Sequence, residues 1–342
     1  MLQYPKFMSE INTNWQQPAF NIVRCGHIEL VVTDLARSRA FYVDTLGFVV
    51  TEESADVIYL RAYEERQHHS LKLRQGPKAM IGHIGYKVWS EAHLDALAAH
   101  FVALGCQTQW VNGVEAGQGR ALRVRDPLGF NTEFYYDMRN VEWMMQQFHL
   151  YRGPHILRID HFNLHVPDVA AGYEYYRQLG FRCSEYAVAD PPEVGLWAAW
   201  MYRKPGVHDV ALTNGYGPRL HHVAFWLPES AAISRCCDIL AAAGYKDSIE
   251  RGPGRHGLSN AFFLYVRDPD GHRIEFYTND YYTGDPDFEP VRWVLSDPKR
   301  ATFWGSYAPR SWFEESSVVT DGEKGTMPLT APKFAPKPVA VN

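Results

Sequence analysis

Two sets of metal-ligating side chains occur in the same order along this 342-residue chain. The sets are His27, His83 and Glu133, followed by His161, His222 and Glu275. Equivalent residues lie 134, 139 and 142 positions apart, so the two copies differ by only a few loop residues. Two neutral imidazoles and one carboxylate on one face of a metal ion leave about three coordination positions open for reactants. The residue types therefore suggest metal-dependent chemistry.

The composition of each set favours an open site over a closed structural one. A structural zinc site usually has four ligands and is rich in cysteine, whereas the five cysteines of this chain include no CxxC pair. The two-histidine, one-carboxylate set is the arrangement associated with non-haem Fe(II) oxygenases. A single histidine in a strand is more often a core or surface residue, but three ligand types at matched positions favour a metal site.

These candidate ligands belong to an internal repeat, which must be considered before any fold is assigned. Each copy continues into an amphipathic stretch with a pair of aromatic residues and then Leu-Gly-Phe. The repeat places a domain boundary near residues 145–155. The matching segments are His27–Asp34 with His161–Asp168, Gly82–Tyr86 with His221–Phe225, and Asp126–Tyr135 with Asp268–Tyr277.

Local patterns predict the elements that must position these residues. Alternating apolar residues indicate strands at 28–32 and 162–166, and apolar residues at helical spacing follow at 35–46 and 170–179. A second round of strand and helix follows in each copy, so each copy holds two similar modules. The strands outnumber the helices, which favours sheets curled around a cavity over a doubly wound nucleotide fold. If the two modules pair by pseudo-symmetry, His161, His222 and Glu275 point into one cavity.

Bulk composition excludes several classes of partner. The chain has 34 Lys and Arg against 39 Asp and Glu, with no basic block, so we expect no nucleic-acid partner. No run of residues reaches the roughly 18 apolar positions of a membrane span. An odd number of cysteines, mostly in apolar contexts, favours a reducing compartment, so we expect a cytoplasmic protein.

The chain resembles the two-domain type I extradiol ring-cleavage dioxygenases of the vicinal oxygen chelate superfamily. The resemblance covers about residues 20–315, and its most specific stretches are 158–163, 217–225, 250–257 and 268–277. It implies an α+β fold of two domains, each built from paired βαβββ modules. The implied segments are an N-terminal arm at 1–20, a first domain at 21–150, a catalytic domain at 151–290, an aromatic arm or lid at 291–320 and an irregular tail at 321–342.

The resemblance also implies an activity and the residues that perform it. The reaction is ring opening of a catechol by dioxygen at Fe(II), with Mn(II) as an alternative, to give a hydroxymuconic semialdehyde in a homotetramer. The implied residues are His161, His222 and Glu275 as metal ligands, His208 as acid/base, Tyr265 as hydrogen-bond donor, and Asn163, Trp200, Arg251, His256, Arg300 and Trp312 around the substrate.

The sequence departs from the family pattern near the aromatic arm. Where the family has two adjacent arginines, this chain has Arg300-Ala301. A carboxylate on the substrate needs cationic receivers, so 3,4-dihydroxyphenylacetate and an uncharged alkyl- or arylcatechol both remain candidate substrates. A glyoxalase-like isomerase or a ligand-binding module would use the same modules, but neither explains His208, Tyr265 and the loop at 252–257 together.

The N-terminal copy departs from the family pattern by keeping residues that the family has usually lost. In the family, this domain usually has no metal ligands. His27, His83 and Glu133 make a second metal site possible, and His69 aligns with His208. Against a metal, Arg123 stands in place of Tyr265, Glu29 replaces Asn163, and nothing matches residues 252–257. The alternative is a vestige of duplication.

Overall fold

A computed structural model describes residues 11–190, 195–322 and 325–335. Residues 1–10 of the predicted N-terminal arm, and residues 323–324 and 336–342 of the predicted tail, lie outside the described residues. The described part contains two large mixed sheets, one from each copy of the repeat. None of its helices has both the length and the apolar composition needed to cross a bilayer.

The first sheet has eight strands, in the order β2-β3-β4-β1-β5-β8-β7-β6. Its central strands β1 and β5 run antiparallel and open the two modules of the first copy. The strands are β1 (Ile22–Val32), β2 (Val49–Glu53), β3 (Val57–Arg61), β4 (Leu71–Gln75), β5 (Met80–Val88), β6 (Thr108–Asn112), β7 (Arg120–Arg125) and β8 (Asn131–Tyr135).

The second sheet repeats this order as β10-β11-β12-β9-β13-β16-β15-β14. The predicted α+β fold of paired βαβββ modules is therefore confirmed. The strands are β9 (Arg158–Val166), β10 (Arg182–Val188), β11 (Leu196–Tyr202), β12 (Val210–Asn214), β13 (Arg219–Trp226), β14 (Ile249–Arg255), β15 (Phe262–Arg267) and β16 (Arg273–Thr278).

Each module has a helix between its first and second strands. Asp34 and Asp168 cap α1 and α3 by accepting hydrogen bonds from backbone N–H groups of the first turn. The helix predicted over 35–46 ends as an α-helix at Arg39 and continues as a π-helix over Ala40–Thr45. The helices are α1 (Leu35–Arg39), α2 (Ala92–Ala103), α3 (Val169–Gln178) and α4 (Ser230–Ala242).

The segment after β16 wraps around the second sheet. Strand β17 (Val291–Val294) extends one edge beside β10, and β18 (Trp304–Gly305) extends the other beside β14. Short helices α5 (Pro298–Ala301) and α6 (Arg310–Glu314) lie between these contacts, and β19 (Ser317–Val318) pairs with β13. The chain then forms a small hairpin of β20 (Thr320–Asp321) and β21 (Gly325–Thr326).

Strand register places the candidate ligands on three adjacent strands. In the antiparallel pair of β9 and β13, Asn163 lies opposite His222 and His161 lies opposite Ala224. In the parallel pair of β13 and β16, Ala224 lies beside Glu275. The pseudo-symmetric pairing of the two modules is thus what brings together residues more than one hundred positions apart.

Candidate metal centre and substrate pocket

Three side chains converge in the second sheet, one each from β9, β13 and β16. Oε2 of Glu275 lies 2.9 Å from Nε2 of His161 and 3.0 Å from Nε2 of His222, and the two Nε2 atoms are 3.3 Å apart. All three side chains are buried. These separations match the roughly 3 Å between neighbouring ligand atoms that each lie about 2.1 Å from one ion.

The ring proton of His161 points away from the other two side chains. Its Nδ1 lies 2.8 Å from Oδ2 of the preceding Asp160, so the hydrogen-bond network assigns the proton to Nδ1. Lys204 Nζ lies 3.7 Å from the other oxygen of Asp160. Although burial opposes ionisation, Lys204 and His161 hold the pKa of Asp160 below its usual value. Nε2 of His161 is left with its lone pair directed at Glu275.

The proton of His222 is fixed by a relay that ends on the arm. Nε2 of His221 lies 3.0 Å from the carbonyl oxygen of Trp312 and donates to it. Nδ1 of His221 is then an acceptor, and Nδ1 of His222, 2.7 Å away, donates to it. Nε2 of His222 therefore also faces Glu275 as a lone pair. Such outer hydrogen bonds fix the tautomer and orientation of metal-ligating histidines.

The facing atoms of the three side chains are consequently all acceptors. Where no cation lies between them, a shared proton takes that place: Asp160 and Glu275 raise the pKa of His161 despite its burial, and His222 and His161 in turn hold the pKa of the Glu275 carboxyl well below its usual range. Oε1 of Glu275 is buried without a hydrogen-bond partner among the described residues, and its neighbour His256 Nε2 is 3.7 Å away. Acceptors facing one another at 3 Å repel unless a cation lies between them, so these residues fit a divalent metal ion.

A cavity of about 410 Å³ opens over these side chains, between the second sheet and the arm. The structure brings together in its lining every residue predicted for the C-terminal site. These residues are His161, Asn163, Trp200, His208, His222, Arg251, His256, Tyr265, Glu275, Arg300 and Trp312.

His208 lies beside the candidate ligand His161, with 3.8 Å between the ring centroids. Burial, together with the neighbouring His161, lowers the pKa of His208 well below its usual value, so the ring is neutral. Its Nδ1 atom is buried and has no hydrogen-bond partner in the described part of the chain. The ring is therefore available to accept a proton from a molecule in the cavity.

Tyr265 and His256 form a hydrogen-bonded pair on the cavity wall. Nδ1 of His256 donates to the carbonyl oxygen of Ala301 at 2.6 Å, so its Nε2 accepts from the Tyr265 hydroxyl at 2.9 Å. Burial and the charge of Glu275 raise the pKa of Tyr265 well above its usual value. Tyr265 therefore remains a neutral phenol that can donate a hydrogen bond.

Two guanidinium groups lie where the arm closes the cavity. Arg251 donates to Thr302 Oγ1 at 2.7 Å and to the Ala301 carbonyl at 3.0 Å, and it lies 4.6 Å from the Trp312 ring centroid. Nε of Arg300 is buried without a hydrogen-bond partner among the residues described. Burial lowers the pKa of both groups, and Arg251 lowers that of Arg300 further. An anionic group at this wall would be stabilised by both.

The opposite wall is formed by residues on β9 and β11. Oδ1 of Asn163 accepts a hydrogen bond from Thr213 Oγ1 at 3.1 Å, which fixes the amide. Trp200 is buried and presents an apolar surface to the cavity beside Trp197. The cavity therefore has a polar side at the arm and an aromatic side at β11.

Several residues that hold this site in place were not predicted from the sequence. Asp160 and His221 directly precede the two histidines that they orient, and that adjacency was the available signal. Glu185 accepts hydrogen bonds from the Ser259 backbone at 2.6 Å, from Tyr281 at 2.5 Å and from Trp293 at 2.6 Å. It thereby joins a cavity-lining loop to the arm, which no local motif indicates.

The N-terminal set also converges. Nε2 of His27 lies 3.0 Å from Nε2 of His83 and 3.2 Å from Oε1 of Glu133. Here, however, the carboxylate already has protein donors: Arg123 Nε at 2.7 Å from Oε2 and Gln118 Nε2 at 2.8 Å from Oε1. The structure brings the three residues together, but in a different electrostatic setting.

The family model of the Glyoxalase/Bleomycin resistance protein/Dioxygenase superfamily matches residues 24–134 and 158–276. Each matched segment covers one of the two sheets. The match therefore agrees with the duplication seen in both sequence and structure.

Three relatives share most of the chain. The crystal structure of homoprotocatechuate 2,3-dioxygenase from Arthrobacter globiformis is 50% identical, with a TM-score of 0.88 over 91% of this chain and 97% of that one. The Brevibacterium fuscum homoprotocatechuate 2,3-dioxygenase in complex with 3,4-dihydroxyphenylacetate is 47% identical, with a TM-score of 0.89 over 92% and 98%. A manganese-dependent 2,3-dihydroxybiphenyl 1,2-dioxygenase from Geobacillus genomosp. 3 is 34% identical over 84% of this chain and 94% of its own length.

Proposed function

The chain belongs to the Glyoxalase/Bleomycin resistance protein/Dioxygenase superfamily and is one of its extradiol catechol dioxygenases, and we propose where and on what it acts. The proposed metal ligands are His161, His222 and Glu275. The proposed substrate is a catechol with an anionic side chain, of which 3,4-dihydroxyphenylacetate is the simplest example. The product is the corresponding hydroxymuconic semialdehyde.

One observation carries the site assignment: three buried acceptor atoms converge within 3.3 Å at the floor of a cavity, and no Lys or Arg among the described residues pairs with the carboxylate. When bound there, a redox-active divalent ion supplies open positions at which a catechol and dioxygen are activated side by side. An isomerase or a binding module has no need for the neutral His208 beside such a floor.

Other residues around the cavity transfer a proton, donate a hydrogen bond and position the substrate. Neutral His208 accepts a catechol proton and returns it as the ring opens, a role that typically contributes about 10²–10⁴-fold to the rate. The Tyr265 hydroxyl, whose single proton is donated to His256 in the structure, exchanges that acceptor for a substrate oxygen as negative charge develops there. Trp200 and Asn163 define the ring plane on the opposite wall, and the arm excludes water from the cavity.

The anionic side chain is assigned to the wall that carries Arg251 and Arg300. Arg300 Nε lacks a partner, and an unpaired buried donor is costly unless a ligand satisfies it. A substrate carboxylate would accept from it and lie within reach of Arg251. This argument outweighs the alanine at 301, since the Arg251 guanidinium and the Arg300 Nε donor both remain at this wall.

An uncharged arylcatechol is the second candidate, because Ala301 leaves space where the family has an arginine. The aromatic side of the cavity, with Trp197 and Trp200, would accept a second ring. The relative from Geobacillus genomosp. 3 is named for a dihydroxybiphenyl. This candidate predicts that the two guanidinium groups contribute little to substrate selection.

The proposal extends to the identity of the ion, the assembly and the compartment. We propose Fe(II) as the working ion, with Mn(II) as the alternative, since a two-histidine, one-carboxylate set accepts both. All five cysteines are free, as expected in a reducing cytoplasm. The homotetramer rests on the family resemblance, and light scattering of the loaded protein would test it.

The test is turnover of two substrates by metal-free protein loaded anaerobically with Fe(II) or Mn(II). We expect oxygen uptake and a yellow product, with 3,4-dihydroxyphenylacetate preferred over 4-methylcatechol. Arg300→Gln should lower the ratio of the two kcat/KM values by about 10-fold or more, the usual strength of a charge-assisted hydrogen bond. Ala301→Arg should raise it.

Lys299→Gln is the matched control, since Lys299 makes the same charge change one residue away on the exposed side of α5. It should leave the ratio unchanged. Equal preference in the unmodified chain and in Arg300→Gln would favour the arylcatechol. Absence of oxygen uptake with either substrate, despite bound metal, would contradict the assignment of the site.

A further inference from the structure

The N-terminal copy of the metal site is surrounded by charged side chains at positions where the C-terminal copy has neutral ones. Register fixes the equivalence: Arg123 lies opposite Glu133 as Tyr265 lies opposite Glu275. The other exchanged pairs are Glu29 with Asn163, Lys72 with Ala211, and Arg74 with Thr213.

Arg123 takes the place next to the carboxylate that the C-terminal copy leaves free. Its Nε donates to Glu133 at 2.7 Å and its Nη2 to Glu115 at 2.6 Å. Glu133 is completely buried and Glu115 nearly so. One guanidinium therefore pairs with two buried carboxylates, a role for which its planar group of donors is well suited.

Lys72 forms ion pairs with two carboxylates, those of Glu29 and Glu115. Its Nζ lies 2.7 Å from Oε2 of Glu29 and 2.7 Å from Oε2 of Glu115, while Arg74 Nε lies 2.9 Å from the other oxygen of Glu29. The cluster thus contains Glu29, Glu115 and Glu133 against Lys72, Arg74 and Arg123. Its formal charge is balanced by the protein alone, so that a divalent ion would add two uncompensated charges.

The hydrogen bonds of His27 point to the same conclusion. Gly26 precedes it where Asp160 precedes His161, and Nδ1 of His27 is buried without a hydrogen-bond partner among the residues described. Nε2 instead faces the carboxylate oxygen Oε1 of Glu133, which can only accept, and Nε2 of His83. The proton is therefore best placed on Nε2, the atom that would have to bind a metal.

We propose that the N-terminal site is a latent metal site that is locked by protein cations. Arg123 and Lys72 supply the positive charge that an ion supplies in the C-terminal copy, while the backbone still holds His27, His83 and Glu133 in ligand geometry. Replacing these charged residues of the N-terminal copy with the neutral residues of the C-terminal copy allows the N-terminal site to bind one divalent transition-metal ion. This inference rests on the proposed function in one respect: the C-terminal metal site serves as the copy with which the N-terminal site is compared.

The test is the number of Co(II) ions bound per chain, measured by elemental analysis after anaerobic loading and desalting, with titration calorimetry for affinity. The unmodified chain should bind one ion. The triple variant Glu29→Asn, Lys72→Ala, Arg123→Tyr should bind two, and adding His27→Ala should return it to one. Arg123→Met alone is the milder variant and should bind a second, weaker equivalent.

Arg125→Tyr is the matched control, because Arg125 lies on the same strand and pairs with the exposed Asp321. It should bind one ion. Ring-cleavage activity, which uses the other sheet, reports whether each variant is folded. Two ions in the unmodified chain, or one in both opened variants while activity persists, would overturn the proposal. A second ion that survives the added His27→Ala would show that His27 is not one of its ligands, and it would also overturn the proposal.

A failure of the proposed function gives a different pattern. If the C-terminal residues do not bind metal, the unmodified chain binds no ion and the opened variants bind one. That result would support the proposal for the N-terminal site and contradict the assignment of the C-terminal ligands.

Discussion

The two sheets have the same strand order, but within the described residues only the second is extended by strands of the arm. Strands β17, β18 and β19 add to three of its strands, and a cavity with one aromatic side is closed beneath them. The equivalent space in the first sheet is lined by Glu29, Lys72, Arg74, Glu115 and Arg123. Duplication reproduced the ligand positions in both sheets. The residues that surround the ligands differ, and they decide whether the positive charge at the site comes from a metal ion or from protein side chains.

The largest difference between the two regions should appear when each carboxylate is neutralised. Glu275→Gln should remove the metal and lower kcat/KM by more than about 10³-fold, because it removes the only anionic ligand. Glu133→Gln should leave activity unchanged and lower the free energy of unfolding by about 1–3 kcal/mol, since Arg123 loses a buried partner. Metal analysis, turnover and denaturant unfolding measure the three quantities. Equal effects on turnover would mean that the two sites act together.

The second comparison concerns the histidines beside each set. His208→Asn should reduce kcat by about 10²–10⁴-fold without loss of metal, as expected for removal of a proton acceptor. His69→Asn, at the equivalent place in the first sheet, should have no effect on kcat. Loss of metal in His208→Asn would instead show that His208 supports the ligand His161, whose ring it contacts.

The relay from His222 to the arm can be tested against a second pair of adjacent histidines. His221→Phe removes the acceptor of the His222 proton and should weaken metal binding about 10–100-fold, the usual effect of losing such a partner. His68→Phe changes the neighbour of His69, to which His68 is bonded at 3.1 Å. It should leave the affinity for Fe(II) or Mn(II) unaltered in a chelator competition assay.

The last comparison is a pH dependence that distinguishes equivalent turns of the two sheets. Burial raises the pKa of Asp126 to about 7, despite hydrogen bonds from the Phe130 and Leu128 N–H groups and from Thr132 that favour ionisation. The folded state therefore holds this proton more tightly than the unfolded state. The contribution of Asp126 to stability is greatest below its unfolded pKa near 4 and is lost as pH rises to about 7.

The difference in unfolding free energy between Asp126→Asn and the unmodified chain should accordingly shift in favour of the variant between pH 4 and 7, by up to about 4 kcal/mol. Above pH 7 it should be constant. The equivalent Asp268→Asn should shift less, because burial raises the pKa of Asp268 but His272 opposes the change. A flat difference for Asp126 would show that its carboxylate is ionised throughout.

The sequence predicted the fold because the repeat marked equivalent strands, and their pseudo-symmetric pairing set the register. His161, His222 and Glu275 could be placed in one cavity on that basis alone. Arg123 and Glu29 were also visible as departures, since they stand at repeat-equivalent positions.

The remaining features depend on contacts between segments without matching partners in the repeat. Lys72 bridges Glu29 and Glu115 across three separate segments, and no spacing rule indicates such a network. The edge strands β17 and β18 are only four and two residues long, too short for alternation to be recognised. The π-helix at Ala40–Thr45 is not anticipated by the helical pattern, since α3 buries an equivalent pair of rings, Tyr175 and Tyr176, and remains an α-helix.

The hydrogen bond from His221 to the Trp312 carbonyl couples metal binding to the position of the arm. Through His221 it fixes which nitrogen of His222 is free, so seating the arm and presenting a coordinating atom are parts of one equilibrium. Reciprocity then requires that an ion favour the seated arm by the same factor that the seated arm favours the ion. A chain stripped of its metal is therefore expected to lose protection of residues 303–313 against proteolysis, although none of them is a proposed ligand.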